Sequence, residues 1–238
     1  MTAIACGSPS RLTNIVEEIA IPFNVSRPQQ AVAKFYAGNE LEHQTQKAIK
    51  DFGEALEFDL LRSTLTSGAS GTAAKMSGLI QAVSKANNHT SHSSGTVFAA
   101  SILDGLMKIG WDNSNGDVAT DLFVGSFLLS VVDGFTAKSN VVVAGSQTTL
   151  IKTVSVYESA FGSLSLHTHR YVQVSGTDAT GRVLAIRPEK LAVAWLDMPT
   201  VLNLAVSGAF DAKSVYGSCT LEVHNQNSCW YADGFDID

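Results

Sequence analysis

Apolar residues between Glu40 and Thr66 recur at helical steps, with Leu41, Ala48, Phe52, Ala55 and Leu56 three, four or seven positions apart. The segment has no proline and one interior glycine, Gly53, so it predicts a single long helix. At 1.5 Å per residue that helix would be about 40 Å long. Gly38 breaks the chain before it, Asn39 is placed as the N-cap, and Glu42 sits where a capping-box carboxylate reaches back. Glu40 and Glu42 also suit the positive end of the helix dipole.

The preceding segment is extended instead. Ile15, Val16, Ile19, Ile21, Phe23 and Val25 favour strand, and Pro22 and Pro28 restrict that strand to a sheet edge or a free arm, because proline lacks the N–H of a central ladder. Two readings stand at this point: a terminal strand folded back on its own domain, or an arm buried on a neighbouring subunit.

Beyond the long helix, Ser67 to Ala74 reads as a loop and Met76 to Lys85 as a short helix. Asn87 to Ser94, with His89 and His92, has the composition of a solvated turn. Thr96 to Ile109 is helical through Val97, Ala100, Leu103, Leu106 and Met107 and closes at Gly110, and Asp112 to Asp117 is a loop. Leu122 to Val124, a helix from Ser126 to Phe135 and the strand Val141 to Val143 form an α/β unit. After Thr148 the pattern is mostly β: around Ile151, Thr153 and Tyr157, at Leu164 and Leu166, at Tyr171 to Val174, and at Ala192–Leu196, Val201–Val206 and Cys219–His224. The fold class is α+β, helical first and β-rich later.

With 238 residues and 45% hydrophobic content, the chain is long enough to bury one large core or two intimate ones. A net charge of -6 and a pI near 5.5, with no basic run, argue against a surface built to grip DNA or anionic membranes. No signal-peptide pattern and no bilayer-length apolar window occur, so a soluble, non-secreted chain is expected. Cys6, Cys219 and Cys229 make an odd set without CxxC spacing and are expected to be reduced. Asn24-Val-Ser26 and Asn88-His-Thr90 match the glycosylation pattern by chance.

Candidate chemistry is sparse. His167 and His169, two apart on an expected strand, share a side and would hold a metal only with a third ligand; exposed histidines on a solvent face are the better reading. Cys219, His224 and Cys229 carry no spacing that fixes a nucleophile and its base. Gly68 to Lys75 lacks the Gly-Lys-Ser/Thr ending of a phosphate loop. Glu54, Glu57 and Asp59 are interleaved with Lys47, Lys50 and Arg62, which reads as a solvated or intersubunit salt-bridged surface. No catalytic residue, cofactor or metal ligand is assigned.

The order of the pieces carries a resemblance. Arg11-Leu-Thr-Asn14, Val25-Ser26, Gly38-Asn-Glu40 followed by Gln44 and Lys47, Glu57, Lys75-Met-Ser-Gly-Leu79 and Leu221-Glu-Val-His-Asn225 resemble the major capsid proteins of tailed bacteriophages, of the tailed-phage/herpesvirus-type capsid fold. The resemblance covers nearly the whole chain. It implies an extended loop, a long spine helix, a peripheral domain and an axial domain, divided as 1–38 (arm and partial loop), 39–110 (peripheral, with the spine), 111–180 (axial) and 181–238 (strands returning to the peripheral domain).

The resemblance also selects the outward-reaching arm, with Arg11, Ile19, Ile21, Phe23, Val25, Arg27, Glu54, Glu57 and Arg62 as subunit-interface candidates. Only ten residues precede Arg11, so a truncated or processed form with half of the extended loop is expected. The implied function is self-assembly into hexamers and pentamers of an icosahedral shell around double-stranded DNA, without sequence-specific binding or a membrane. Scaffolding, portal and decoration proteins are the implied partners, in the host cytoplasm during assembly and then in the virion. An encapsulating nanocompartment shell is the nearest alternative, and a metal-dependent hydrolase around His167 and His169 is a distant one.

Overall fold

The apolar stripe after Asn39 forms one helix, Glu40–Arg62, in the computed structural model, which describes residues 12–32, 39–85, 88–114, 116–135, 156–173, 180–205 and 208–236. In chain order the elements are β1 (Glu17–Ser26), α1 (Arg27–Ala31), α2 (Glu40–Arg62), α3 (Leu79–Lys85), β2 (His89–Thr96), α4 (Ala100–Ser114), β3 (Asp121–Val124), α5 (Ser126–Phe135), β4 (Val156–Ser159), β5 (Gly162–Thr168), β6 (Gly181–Ile186), β7 (Leu191–Asn203), β8 (Phe210–Val223) and β9 (Trp230–Phe235). The expected strand at Val141–Val143 and the positions Ile151, Thr153 and Val174 lie outside the described residues.

Asn39 caps α2 by accepting the Leu41 N–H at 3.1 Å. The helix stops at Arg62, short of the expected Thr66, because Ser63 turns to extended backbone while its N–H still reaches Asp59 O. Thr66 then exchanges two backbone bonds with Lys75, closing the intervening loop into a tight hairpin. The helix is about 35 Å long.

The strands form two sheets. One has the order β1-β8-β7, all antiparallel, and the other has the order β2-β9-β6-β3-β5-β4, with parallel pairs at β2/β9 and β3/β5. Residues 181–238, expected to return together beside the long helix, divide between them: β7 and β8 build the smaller sheet, while β6 and β9 lie inside the larger one. The expected strands near 192–196 and 201–206 are one strand, β7, interrupted by register shifts between Trp195 and Thr200.

His89 to Ser94, expected within the turn Asn87 to Ser94, and Thr96, expected to open a helix, belong to a strand instead. Its polar side chains carry little strand signal, but its main chain pairs with β9, and the His89 and His92 rings lie 4.9 Å from those of Tyr231 and Phe235.

Three apolar clusters hold the layers together. Leu103, Leu106 and Met107 of α4 and Leu128 and Val132 of α5 pack on Leu122, Trp230 and Phe235 of the larger sheet. Gly110 makes this docking possible, since a Cβ there would stand 2.8 Å from the Trp230 ring. Leu79 and Val83 of α3, with Met76, join Leu184 and Tyr231 of the larger sheet to Cys219 and Leu221 of the smaller one. Ile19 of β1, Ala48 and Phe52 of α2 and Val215 of β8 form the third cluster, so α2 lies over β1 and β8. No helix among the described residues is long and apolar enough to cross a membrane.

Candidate assembly surfaces

Three of the segments that carried the sequence resemblance meet in space, through Asn14, Ser77 and Leu221. The Ser77 N–H donates to Asn14 Oδ1 at 2.7 Å, and Asn14 Nδ2 donates to Ser77 O at 3.1 Å and to Leu221 O at 2.9 Å. One short amide therefore ties the chain ahead of β1 to Lys75–Leu79 and to the end of β8. The Lys75–Leu79 segment is fitted residue by residue: Met76 is fully buried, Gly78 N–H donates to Ser63 O at 2.8 Å, and Leu79 starts α3. A Cβ on Gly78 would come within 2.9 Å of backbone atoms of Ser63, Asp59 and Leu61, so only glycine allows this approach to the end of α2.

The arm is placed differently from the expectation. β1 pairs along its whole length with β8 of the same chain, from Glu17 opposite Cys219 to Ser26 opposite Phe210. Alternate residues point at α2, which leaves Ile19 and Val25 buried and Ile21 and Phe23 half-buried within the subunit. Expected at a subunit interface, these four side chains serve the subunit's own core, because β8 supplies the ladder and α2 the apolar cover. Pro22 fits because β1 is an edge strand of its sheet.

Arg27 is exposed at the start of α1, and Arg11 lies outside the described residues. Glu54 and Glu57 take partners within the chain: the Tyr171 hydroxyl donates to Glu54 at 3.4 Å, and His169 Nε2 lies 2.6 Å from Glu57 Oε1. Phe58 meets the Tyr171 ring edge-on at 5.6 Å, so the turn after β5 is docked on α2. Arg62 is half-buried at the end of α2.

The strip that the sequence reading missed is β7. Val193, Leu196, Met198, Val201 and Leu202, with Leu204 beyond the strand, are all exposed, Leu196 at 71% and Met198 at 67%. α2 covers β1 and β8 and Trp195 of β7 packs against the same cluster, while the strip of β7 named above stays exposed at the other edge of the sheet. The signal was present as an apolar run through Leu196-Asp-Met-Pro-Thr-Val-Leu-Asn-Leu204 that lacks the alternation of a half-buried strand. An exposed apolar edge of this kind marks an interaction surface.

The residues considered for chemistry are engaged separately. His167 stacks on Phe123 and sits 3.0 Å from Asp121, whereas His169, on the same ring's edge, goes to Glu57. Among the described residues no group of three or more His, Cys, Asp or Glu side chains is placed to hold a metal ion. Cys219 and Cys229 are free, buried thiols, and burial pushes both upward from the ordinary thiol range, away from the thiolate that a nucleophile needs. His224 faces Glu222 at 3.7 Å on the surface. A solvent-open pocket of about 690 Å³, lined by Glu57, Ser126, His169, Arg170, Tyr171 and Gln173, marks the seam where α2 meets the larger sheet.

Solved structures with the same fold include the holo-SrpI encapsulin complex from Synechococcus elongatus PCC 7942, with 12% identity over 94% of this chain and 75% of that one and a TM-score of 0.65. A structure from Microbacterium phage Oxtober96 aligns with 15% identity over 93% and 73% of the two chains, with a TM-score of 0.59. The procapsid of satellite phage P4 including its size determination (Sid) protein aligns with 8% identity over 100% and 77%, with a TM-score of 0.60. At these identities the likeness is one of fold. No curated protein matches the chain by sequence. Residues 3–234, however, match the model of the SU10 major capsid protein family, and a chain matched over nearly all its length belongs to that family of capsid shell proteins.

Proposed function

We propose that this capsid protein assembles with copies of itself into hexamers and pentamers of a closed icosahedral shell around double-stranded DNA, and that the bare β7 strip is a principal contact between copies. The observation that carries the reading is the exposure of Leu196 and Met198 on a strand at the edge of its sheet. In a closed shell each such contact can be modest, because many act together. Arg27 and Arg62 contribute polar contacts at the ends of the helix-bearing part, and the arm rigidifies the subunit instead of reaching across it.

In this reading α2 with the three-stranded sheet is the peripheral part, and the six-stranded sheet with α4 and α5 is the axial part that meets its copies around capsomer centres. The role is structural and not catalytic. Acidic net charge suits a surface that confines DNA without gripping it. Scaffolding, portal and decoration proteins are the partners such a shell engages during assembly in the host cytoplasm.

The nanocompartment reading shares the fold through the encapsulin structure, but the family match favours the phage shell. Negative-stain microscopy of the purified chain tests the proposal: rings, sheets or shells are expected. A persistently monomeric protein carrying stoichiometric metal would overturn it in favour of the hydrolase.

A further inference from the structure

β1 begins on a buried carboxylate. The Glu17 side chain is 5% exposed; its Oε2 accepts the Met76 N–H at 3.2 Å and the Ser63 hydroxyl at 3.4 Å, and its Oε1 lies 3.9 Å from Lys75 Nζ. The same ammonium stands 3.9 Å from Asp59 Oδ1 on α2, whose side chain is 14% exposed. Lys75 itself is half in solvent. Two enclosed carboxylates thus share one partly exposed cation, and the ionised cluster holds one negative charge in excess. Among the described residues the Cys219 thiol, opposite Glu17 on β8, also faces it, and burial and the two carboxylates keep that thiol in its neutral form.

An uncompensated charge away from water is costly, and a single proton removes it. We propose that Glu17, Asp59 and Lys75 form a proton-operated clasp. With one proton on the carboxylate pair, the start of β1 is locked to the end of α2 and to Lys75–Gly78. Once that proton leaves, the clasp loosens and frees the chain ahead of β1, where Asn14 holds the neighbouring segment.

Burial pushes the Glu17 carboxyl above its ordinary range and the Asp59 charge adds to the rise, while Met76 N–H, Lys75 and Ser63 offset part of it. Burial raises Asp59 as well, against the pull of Lys75. A carboxyl raised in the folded state contributes stability that is fully present below the unfolded value of about 4 and is lost as pH rises through the folded one. The clasp therefore tightens in acid.

Amide hydrogen exchange of the full-length protein, corrected for intrinsic rates and read by mass spectrometry over residues 12–23, tests this. Wild-type protection should fall roughly tenfold or more as pH rises through the raised carboxyl values, one unit of coupling being tenfold. Glu17→Gln, which keeps an acceptor for Met76 and Ser63, and Asp59→Asn should each flatten that dependence, while Lys75→Met, which removes the cation that pulls both carboxyls down, should shift the loss of protection to higher pH. Far-UV circular dichroism confirms that each variant is folded, and Asp59→Asn alone decides if Glu17→Gln is not. Wild-type pH dependence retained in the folded Asp59→Asn variant overturns the clasp.

Discussion

Asn14 and Ser77 grip each other through both polar ends of the asparagine amide, while the same side chain reaches Leu221. Sixty-three residues apart in sequence, they fix where the N-terminal segment, the loop before α3 and the end of β8 meet. Asn14→Ala would leave Ser77 N–H and two carbonyls without these partners. A loss of about 2–3 kcal/mol is expected by urea denaturation, and Asn14→Asp, which keeps only the acceptor, should fall between.

Gly78 is the second fixed point of that junction. A methyl group there meets backbone of Ser63, Asp59 and Leu61 at under 3 Å, and backbone cannot rotate aside as a side chain can. Gly78→Ala should destabilise by about 1–3 kcal/mol, while Gly53→Ala, on the open side of α2, should be neutral or stabilising by thermal unfolding.

The arm now makes a folding prediction. Phe23 packs on the cluster of Ile19, Ala48, Phe52 and Val215, so Phe23→Asp should lower monomer stability by about 2–3 kcal/mol. Phe52→Ala, at the cluster's centre, should cost about 3–5 kcal/mol. Denaturant unfolding of unassembled subunit measures both; unchanged stability with failed assembly would return the arm to a neighbour.

The long helix and its Asn39 cap were legible because helix periodicity and capping are local. The destination of β1 was not, although Glu17, Ile19, Ile21, Phe23 and Val25 alternate in the pattern of a strand with one buried face. Choosing β8 over a neighbour's sheet depends on a partner nearly two hundred residues away. β2 was missed for a related reason, since its stability lies in pairing with β9 and not in its own polar side chains. The apolar run of β7 is plain in the sequence, but its exposure is set by α2 lying over β1 and β8, a long-range placement that the run itself does not encode.

Asp117 supplies a pH prediction of opposite sign to the clasp. The Lys190 hydrogen bond lowers its carboxyl most, helped by Asn225 and Arg187, at 3.1, 3.4 and 3.6 Å. Its stabilisation is therefore present above the unfolded value of about 3.9 and lost as pH falls through the lowered one. Asp117→Asn should flatten that part of the acid-unfolding profile and leave the pH dependence that arises at Glu17 and Asp59 unchanged.

The central claim is that copies of this chain meet through β7. Sedimentation velocity of wild type beside the double variant Leu196→Lys, Met198→Lys tests it most directly, with thermal unfolding in parallel, since both side chains are exposed and their exchange leaves the core intact. The account predicts large assemblies for wild type and a subunit-sized species for the variant, at the same melting temperature. Assemblies of wild-type size and yield from the variant would contradict it.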